Sequence, residues 1–177
     1  MNNSMIKMNE TELLKKEGCP EWVIEHSLKV YEKSKQIAKN FPNANMELIK
    51  EGALLHDLGR SKTNGINHGV IGAKLALEYG YSEEVAKIIE RHIGAGISKK
   101  EAVKLGLPPK SYEPETIEEK IVAHSDNLLN GSDFVDIEYT INKWKKRIEN
   151  PEDSIKKVKI LNYELIDRFK ENNKKDY

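Results

Sequence analysis

Apolar residues recur along this chain at intervals of three and four, the spacing of amphipathic helices, and short breaks rich in glycine and proline separate the runs. The spacing predicts helices over residues 9–17, 20–40, 46–58, 82–92, 98–106, 116–130, 133–149 and 151–172, with a further helix opening at residue 67 or 68. None of the remaining stretches favours a sheet. The pattern therefore predicts an all-α protein.

Several helix starts carry recognisable signals. Pro20 and Pro151 suit the first positions of helices, where a missing N–H costs no hydrogen bond. Ser98 and Thr116 are each followed three residues later by glutamate, which is the capping-box pattern. Asp133 is predicted to cap the helix over residues 133–149.

Composition indicates one soluble domain of 177 residues with a heavily charged surface, since 38% of residues are hydrophobic and 33% are charged. The 29 basic and 29 acidic side chains cancel, so no overall field attracts nucleic acid or an anionic membrane. The single cysteine, Cys19, excludes an internal disulfide and suits a reducing compartment. Residues 1–7 lack the apolar core of a signal peptide, residues 174–177 are expected to fray, and no run is long enough to span a membrane. A cytoplasmic location is expected.

Five titratable residues occupy positions on the predicted helices where the pattern calls for an apolar side chain. They are His26, His56, His68, His92 and Asp126. Burying an ionisable group is costly unless it is paired or bound to metal. One such histidine is more often a hydrogen-bonded core residue than a ligand, but four histidines and an aspartate on different helices favour a shared metal site.

The segment His56-Asp57-Leu58-Gly59 adds a carboxylate beside one of these histidines, where a glycine is expected to end the helix. Imidazole and carboxylate ligands without a thiolate favour a hydrolytic site for Fe, Mn, Ni, Mg or Zn over a structural zinc site. Asp57 is the natural bridging ligand if two ions bind. Two ions about 3.5–4 Å apart can together act on a phosphoryl group.

Three further polar residues lie near these positions. Arg60 and Lys62 follow the His-Asp pair in a polar segment, where they are either solvated surface or a phosphate clamp. His124 lies two residues from Asp126 and is expected to point away from it, which favours a structural role.

Other functional classes lack their motifs. The chain has neither of the glycine-rich phosphate loops of nucleotide-binding folds and no Gly-x-Ser-x-Gly elbow of serine hydrolases. The basic segment Lys143–Arg147 contains Trp144, which falls on the same helix face as Ile137, Ile141 and Ile148. The charges there are most simply solvated, so nucleic-acid binding is disfavoured.

The spaced motifs resemble the HD superfamily of metal-dependent phosphohydrolases. His56-Asp57-Leu58-Gly59-Arg60 is similar to the family's His-Asp-Ile-Gly variant, and His26-Ser27-Leu28-Lys29-Val30 to its first-histidine segment. Ser125-Asp126-Asn127-Leu128 is similar to its last segment, with serine in place of the usual alanine. The segments around His68 and His92 resemble the dinuclear branch, although His92 is not followed by a second histidine or by Gly-Tyr-Pro, which disfavours cyclic-di-GMP hydrolysis.

The resemblance implies an HD-domain helical bundle that hydrolyses a small phosphorylated substrate with two divalent ions. It implies that His26, His56, Asp57 and Asp126 hold the first ion, that Asp57, His68 and His92 hold the second, and that Arg60 and Lys62 steady the phosphate. A catalytically silent metal- or nucleotide-binding regulator is the alternative.

The predicted domain organisation is a single domain over residues 1–177. An HD core covers about residues 20–130, and additional C-terminal helices cover about 133–172. Those helices either cover the core or form a homodimer interface.

Overall fold

The structure is a computed structural model that describes residues 8–173, so the segments 1–7 and 174–177 lie outside the described residues. The helices are α1 (Glu10–Lys16), α2 (Glu21–Ala38), α3 (Met46–Leu55), α4 (His68–Glu78), α5 (Glu83–Glu90), α6 (Lys99–Lys104), α7 (Ile117–Asn127), α8 (Ile137–Arg147), α9 (Glu152–Asn162) and α10 (Arg168–Asn173). A π-helical segment, Tyr163–Asp167, joins the last two helices. The predicted all-α fold is confirmed.

One small sheet departs from the prediction. Strands β1 (Leu129–Asn130) and β2 (Asp133–Phe134) form an antiparallel hairpin whose turn contains Gly131 at φ +62°. Asp133 is therefore a strand residue, and the prediction that it caps a helix is wrong. The cap of α8 is Asp136, whose Oδ1 accepts a hydrogen bond from the amide of Tyr139 at 2.8 Å. Strands of two residues are too short to show an alternating pattern.

The predicted helix over residues 46–58 ends earlier. Helix α3 stops at Leu55, and a short 3₁₀ turn, Leu58–Ser61, forms the start of the polar segment that contains Arg60 and Lys62. Helix α5 likewise ends at Glu90 rather than at His92. Both corrections leave a predicted ligand just past a helix end, where the backbone turns and the side chain can leave the helix surface.

Two apolar clusters form the main core. Helix α2 packs against α3 and α7, and α4 packs against α5 and the 3₁₀ turn. The first cluster includes Val23, Leu55 and Ile89, and the second includes Val30 and Ile121. Because α2, α3 and α5 contribute residues to both clusters, these helices join the two clusters into one core.

The C-terminal helices join this core through a third cluster. Ala95, Ile141, Val158 and Leu161 are buried together, and Trp144 packs against them. Ile148 was expected on the same face but lies beyond the end of α8 and is exposed. Within residues 8–173 no helix combines the length and the hydropathy needed to span a bilayer.

Candidate metal centre

All six predicted metal ligands converge on one buried cluster. His26 lies within α2, His56 and Asp57 follow α3 directly, and His68 is the first residue of α4. His92 follows α5, and Asp126 lies in the last turn of α7. Five of the six residues are buried, and Asp126 is partly exposed. Four of the six residues lie at or just past a helix end, where their side chains can point into the space between helices.

Asp57 lies at the centre, and its two carboxylate oxygens face different histidines. Oδ1 lies 3.2 Å from Nε2 of His68 and 3.4 Å from Nε2 of His92. Oδ2 lies 3.5 Å from Nε2 of His56 and 3.8 Å from Nε2 of His26. The carboxylate thus divides the donor atoms into two sets, one on each oxygen.

Asp126 belongs to the second of these sets. Its Oδ1 lies 2.8 Å from Nε2 of His26 and 3.6 Å from Nε2 of His56. The larger set therefore offers two imidazoles and two carboxylates, whereas the set on Oδ1 of Asp57 offers two imidazoles and one carboxylate. Nε2 of His68 and Nε2 of His92 are 3.1 Å apart.

Backbone carbonyls orient all four histidines in the same way. Nδ1 of His26 donates to the carbonyl of Gly131 at 2.5 Å, and Nδ1 of His56 donates to the carbonyl of Ala53 at 2.6 Å. Nδ1 of His68 donates to the carbonyl of Gly65 at 2.9 Å, and Nδ1 of His92 donates to the carbonyl of Ile89 at 2.6 Å. A carbonyl oxygen can only accept, so each Nδ1 carries the proton and Nε2 faces the cluster. This arrangement fixes the tautomer that a metal ligand needs.

The donor set fits a divalent cation. Nε2 of His56 is completely buried and has no hydrogen-bond partner among the described residues, which is costly for a polar atom. Three groups of three donors, drawn from the six residues, have ligand atoms within 4.8 Å of one another. A cation would satisfy the unpartnered nitrogen and neutralise two adjacent carboxylates.

The pKa values reflect the same concentration of charge. Burial of His56 disfavours its protonated form, but the nearby carboxylates of Asp57 and Asp126 outweigh burial and raise its pKa to about 9. Burial lowers the pKa of His92. Although burial alone would raise the pKa of Asp57, the surrounding histidines hold it well below its usual range. In the absence of a cation, a proton on His56 offsets part of the negative charge of Asp57 and Asp126. Metal binding at neutral pH therefore displaces that proton.

One close backbone approach and one side-chain ion pair hold the elements around the cluster in place. A Cβ atom at Gly59 would overlap the carbonyl oxygen of His68 and lie 2.8 Å from the amide nitrogen of Gly72. Only glycine lets the 3₁₀ turn after Asp57 approach α4 this closely. Nη1 of Arg91 donates to Oε2 of buried Glu119 at 2.9 Å, which ties the end of α5 to α7.

Residues 23–131, well over half of the chain, match the HD domain family, and the match includes all six residues of the cluster. The chain belongs to the HD domain family. The predicted resemblance is confirmed at this level.

Two curated relatives and one solved structure extend the comparison. The uncharacterized protein MJ0778 of Methanocaldococcus jannaschii is 49% identical over 86% of this chain and 92% of its own length. A tRNA (cytidine(56)-2′-O)-methyltransferase of Thermoplasma volcanium is 45% identical over 83% of this chain, which spans only 44% of that enzyme. The HD domain of the L. monocytogenes phosphodiesterase PgpH, in complex with cyclic-di-AMP, has a TM-score of 0.57 at 18% identity, covering 89% of this chain and 95% of that domain. The last comparison shows a shared fold.

The six predicted ligands are called the HD cluster below. A cavity of about 350 Å³ opens over this cluster and is lined by His26, Asp57 and Asp126. Arg60 lines the same cavity, with Nε 3.0 Å from Oδ1 of Asp57. Lys62 does not line it, because its side chain is half exposed and Nζ pairs with Oε2 of Glu17 at 3.1 Å. The structure thus brings one of the two predicted phosphate-binding cations to the HD site.

Helix α8 supplies cavity residues that the sequence did not predict. Tyr139, Lys143 and Trp144 line the cavity, although α8 lies outside the residues matched by the HD family. The only signal in the sequence was a tryptophan among cations. On the helical pattern it fits a core position equally well, and the third cluster does bury part of it.

His124 lies apart from the HD cluster. Its Nε2 hydrogen-bonds to Oδ1 of Asn162 at 2.9 Å, and both residues are buried. Burial lowers the pKa of His124 to about 4, so the ring is neutral at pH 7. This side chain connects α7 to α9, which agrees with the structural role favoured from its position.

Proposed function

We propose that this HD protein is a metal-dependent phosphohydrolase that cleaves a phosphoester or phosphoanhydride bond of a small substrate with two divalent cations. The observation that carries the proposal is the position of Asp57, whose two oxygens face separate histidine sets beneath a cavity lined by Arg60. A carboxylate in this position can bridge two cations, and a cavity with an arginine can take a phosphate.

The residues divide naturally between the two cations. His26, His56 and Asp126 would hold one ion together with Oδ2 of Asp57, and His68 and His92 would hold the other together with Oδ1. Divalent cations in such a site supply positive charge to phosphate oxygens and lower the pKa of water. The donor set admits Mn, Fe, Ni, Mg or Zn.

Arg60 is the residue of this chain best placed to bind the phosphate. Its guanidinium carries five N–H donors, of which Nε faces Asp57. The guanidinium carbon also lies 5.7 Å from the ring centre of Trp22, so the side chain is held between a carboxylate and an aromatic ring. The remaining donors can therefore bind a phosphate without a large loss of side-chain freedom.

A metal-replete activity screen tests the proposal. The protein is stripped, loaded in turn with each of the five metals, and assayed on nucleoside monophosphates, cyclic dinucleotides, dinucleoside polyphosphates and sugar phosphates. Release of phosphate or nucleotide that disappears in a His56→Ala variant would support a hydrolase. Binding of a nucleotide with no turnover under any metal would contradict hydrolysis and favour the regulatory alternative.

Replacing Arg60 by alanine is expected to lower kcat/KM roughly ten- to hundredfold, because it removes a charge-assisted hydrogen bond to phosphate of about 1.5–3 kcal/mol. Metal content should stay at the wild-type value, since a guanidinium is not a metal ligand. Lys62→Ala is the matched control and should cause a smaller loss, because its ion pair with Glu17 lies outside the cavity. Kinetics and elemental analysis on the same preparations decide it. Wild-type kinetics for Arg60→Ala would exclude phosphate binding by this residue, and lost metal would make its role structural.

Three further features stay predictions. We propose a single domain with an HD core over about residues 20–130 and a helical extension over about 133–172, because α8 and α9 pack in one cluster with Ala95. The cytoplasmic location and the homodimer through the C-terminal helices are expected from the sequence alone.

A further inference from the structure

Both tryptophans of the chain line the cavity over the HD cluster, and they come from different parts of the fold. Trp22 lies in the first turn of α2 and is 51% exposed, which is unusual for so large an apolar ring. Trp144 lies on α8, beyond the residues matched by the HD family. Two flat aromatic surfaces therefore border a cavity whose floor is made of metal-binding side chains.

The indole ring of Trp144 is held in place by the residues packed around it. Part of its ring packs against the cluster of Ala95, Ile141 and Val158. A Cβ atom added at Gly94 would lie 3.8 Å from Cη2 of the indole, so the ring also borders the backbone of the loop after α5. An aromatic ring fixed in this way offers contact area to a ligand at little cost in conformational entropy.

A cation accompanies each tryptophan. Arg60 lies beside Trp22, and Lys143 precedes Trp144 on α8. Nζ of Lys143 donates to Oδ1 of Asn130 at 3.2 Å, and the next residue of that hairpin, Gly131, accepts the hydrogen bond from Nδ1 of His26. The β1–β2 hairpin thus fixes the lysine of α8 and a predicted metal ligand together.

We infer that α8 is the substrate-recognition wall of this HD protein and that the substrate is a nucleotide, with its base stacked on Trp144 and its phosphate bound by Lys143 together with Arg60, which lines the same cavity. The inference rests on the proposed function for the position of the reacting phosphate. A cavity of about 350 Å³ lies at the small end of the range for ligand sites, which suits a single nucleotide unit. A sugar phosphate would supply charge for the two cations but no planar base to stack on the aromatic rings.

The experiment uses the fact that the chain has two tryptophans. In a Trp22→Phe variant, Trp144 is the only source of tryptophan fluorescence. The metal-loaded variant is mixed in a stopped-flow instrument with each of the four nucleoside 5′-monophosphates or with ribose 5-phosphate, and the amplitude is read before turnover. At least one nucleotide should quench Trp144 with an affinity about ten- to hundredfold higher than ribose 5-phosphate, the range that stacking of a base on an aromatic ring provides. Equal affinities, or no change in fluorescence, would overturn the inference.

Substitutions on α8 separate the base from the phosphate. Trp144→Leu should raise KM for the preferred nucleotide about tenfold or more and change KM for ribose 5-phosphate less than about twofold. Lys143→Met should weaken both ligands, whereas Lys146→Met, an exposed lysine of the same helix outside the cavity, should weaken neither. Equal losses for both ligands in Trp144→Leu would contradict base stacking.

These measurements distinguish the inference from the proposed function. Nucleotide binding reported by Trp144 without any hydrolysis would keep the recognition wall and contradict the phosphohydrolase. Hydrolysis that proceeds with the same kcat/KM for nucleotides and for ribose 5-phosphate would support the phosphohydrolase and contradict the recognition wall.

Discussion

Asp57→Asn should remove metal from both halves of the cluster and lower kcat/KM at least about a thousandfold, equivalent to ~4 kcal/mol of transition-state stabilisation. The amide has the shape of the carboxylate but no charge, and it offers a cation only one acceptor oxygen. No other side chain of the cluster contacts all four histidines, as Asp57 does through its two oxygens. Elemental analysis and steady-state kinetics on the same protein measure both effects.

Single-histidine variants show whether the cluster holds one ion or two. His68→Ala and His92→Ala should each deplete one ion preferentially, because both rings face Oδ1 of Asp57. His56→Ala, on the Oδ2 side, should also lose metal. Asp133→Asn is the matched control, since this exposed carboxylate lies on the hairpin outside the cavity. Unchanged metal content in Asp57→Asn and in all three histidine variants would refute a dinuclear site.

The helical fold was predictable because its helices have buried faces and clear ends. The run from Val23 to Ile37 shows the full helical period, and the residues on that face are buried as expected. The Ser98 capping box is present with both of its hydrogen bonds. The Thr116 box is only half formed, because Oε2 of Glu119 accepts from the amide of Glu115 and from Arg91, just past the end of α5, and not from the amide of Thr116. Local signals decide local structure until a partner distant in sequence offers a stronger interaction.

The convergence of the six predicted ligands could also be inferred, because five of them replaced an apolar residue on a predicted helix face and Asp57 adjoins one of those five. What the sequence could not show was the orientation of the rings. The carbonyls that fix Nδ1 come from three residues upstream in His56, His68 and His92, and from a distant hairpin in His26. Backbone acceptors leave no trace in residue identity, so the sequence does not reveal the ring orientations.

The cavity wall was the largest omission. On a helix, the tryptophan of a cavity and the tryptophan of a core share the same spacing, and Trp144 serves partly as both. Lys143 reads as solvated surface until the hairpin brings Asn130 against it. Arg60 and Lys62 are separated by the carboxylate that each one contacts: Arg60 pairs with Asp57 in the cavity, and Lys62 pairs with Glu17 outside it. Such distinctions depend on contacts between distant segments.

Chelation is expected to lower the stability of the metal-loaded protein. Ligands from α2, α4 and α7 and from the segments after α3 and α5 meet at the cluster, so a bound cation connects elements that are far apart in the unfolded chain. An ion present at a hundred times its dissociation constant stabilises the folded state by ~2.7 kcal/mol, provided that it binds the unfolded chain weakly. For a chain of this length, that free energy corresponds to a fall in Tm of roughly 5–11 °C on removal of the metal.

Thermal unfolding followed by circular dichroism, with and without chelator and after elemental analysis of both samples, measures this shift. Asp57→Asn supplies the control, because a chain that cannot hold the metal should melt at the same temperature in both conditions. The metal-free wild type should still fold, since a proton on His56, whose pKa the carboxylates raise to about 9, offsets part of the charge at the cluster. Chelation should therefore lower Tm without loss of helix content at 25 °C. Identical melting curves for the loaded and stripped wild type would contradict a metal centre at the junction of these helices.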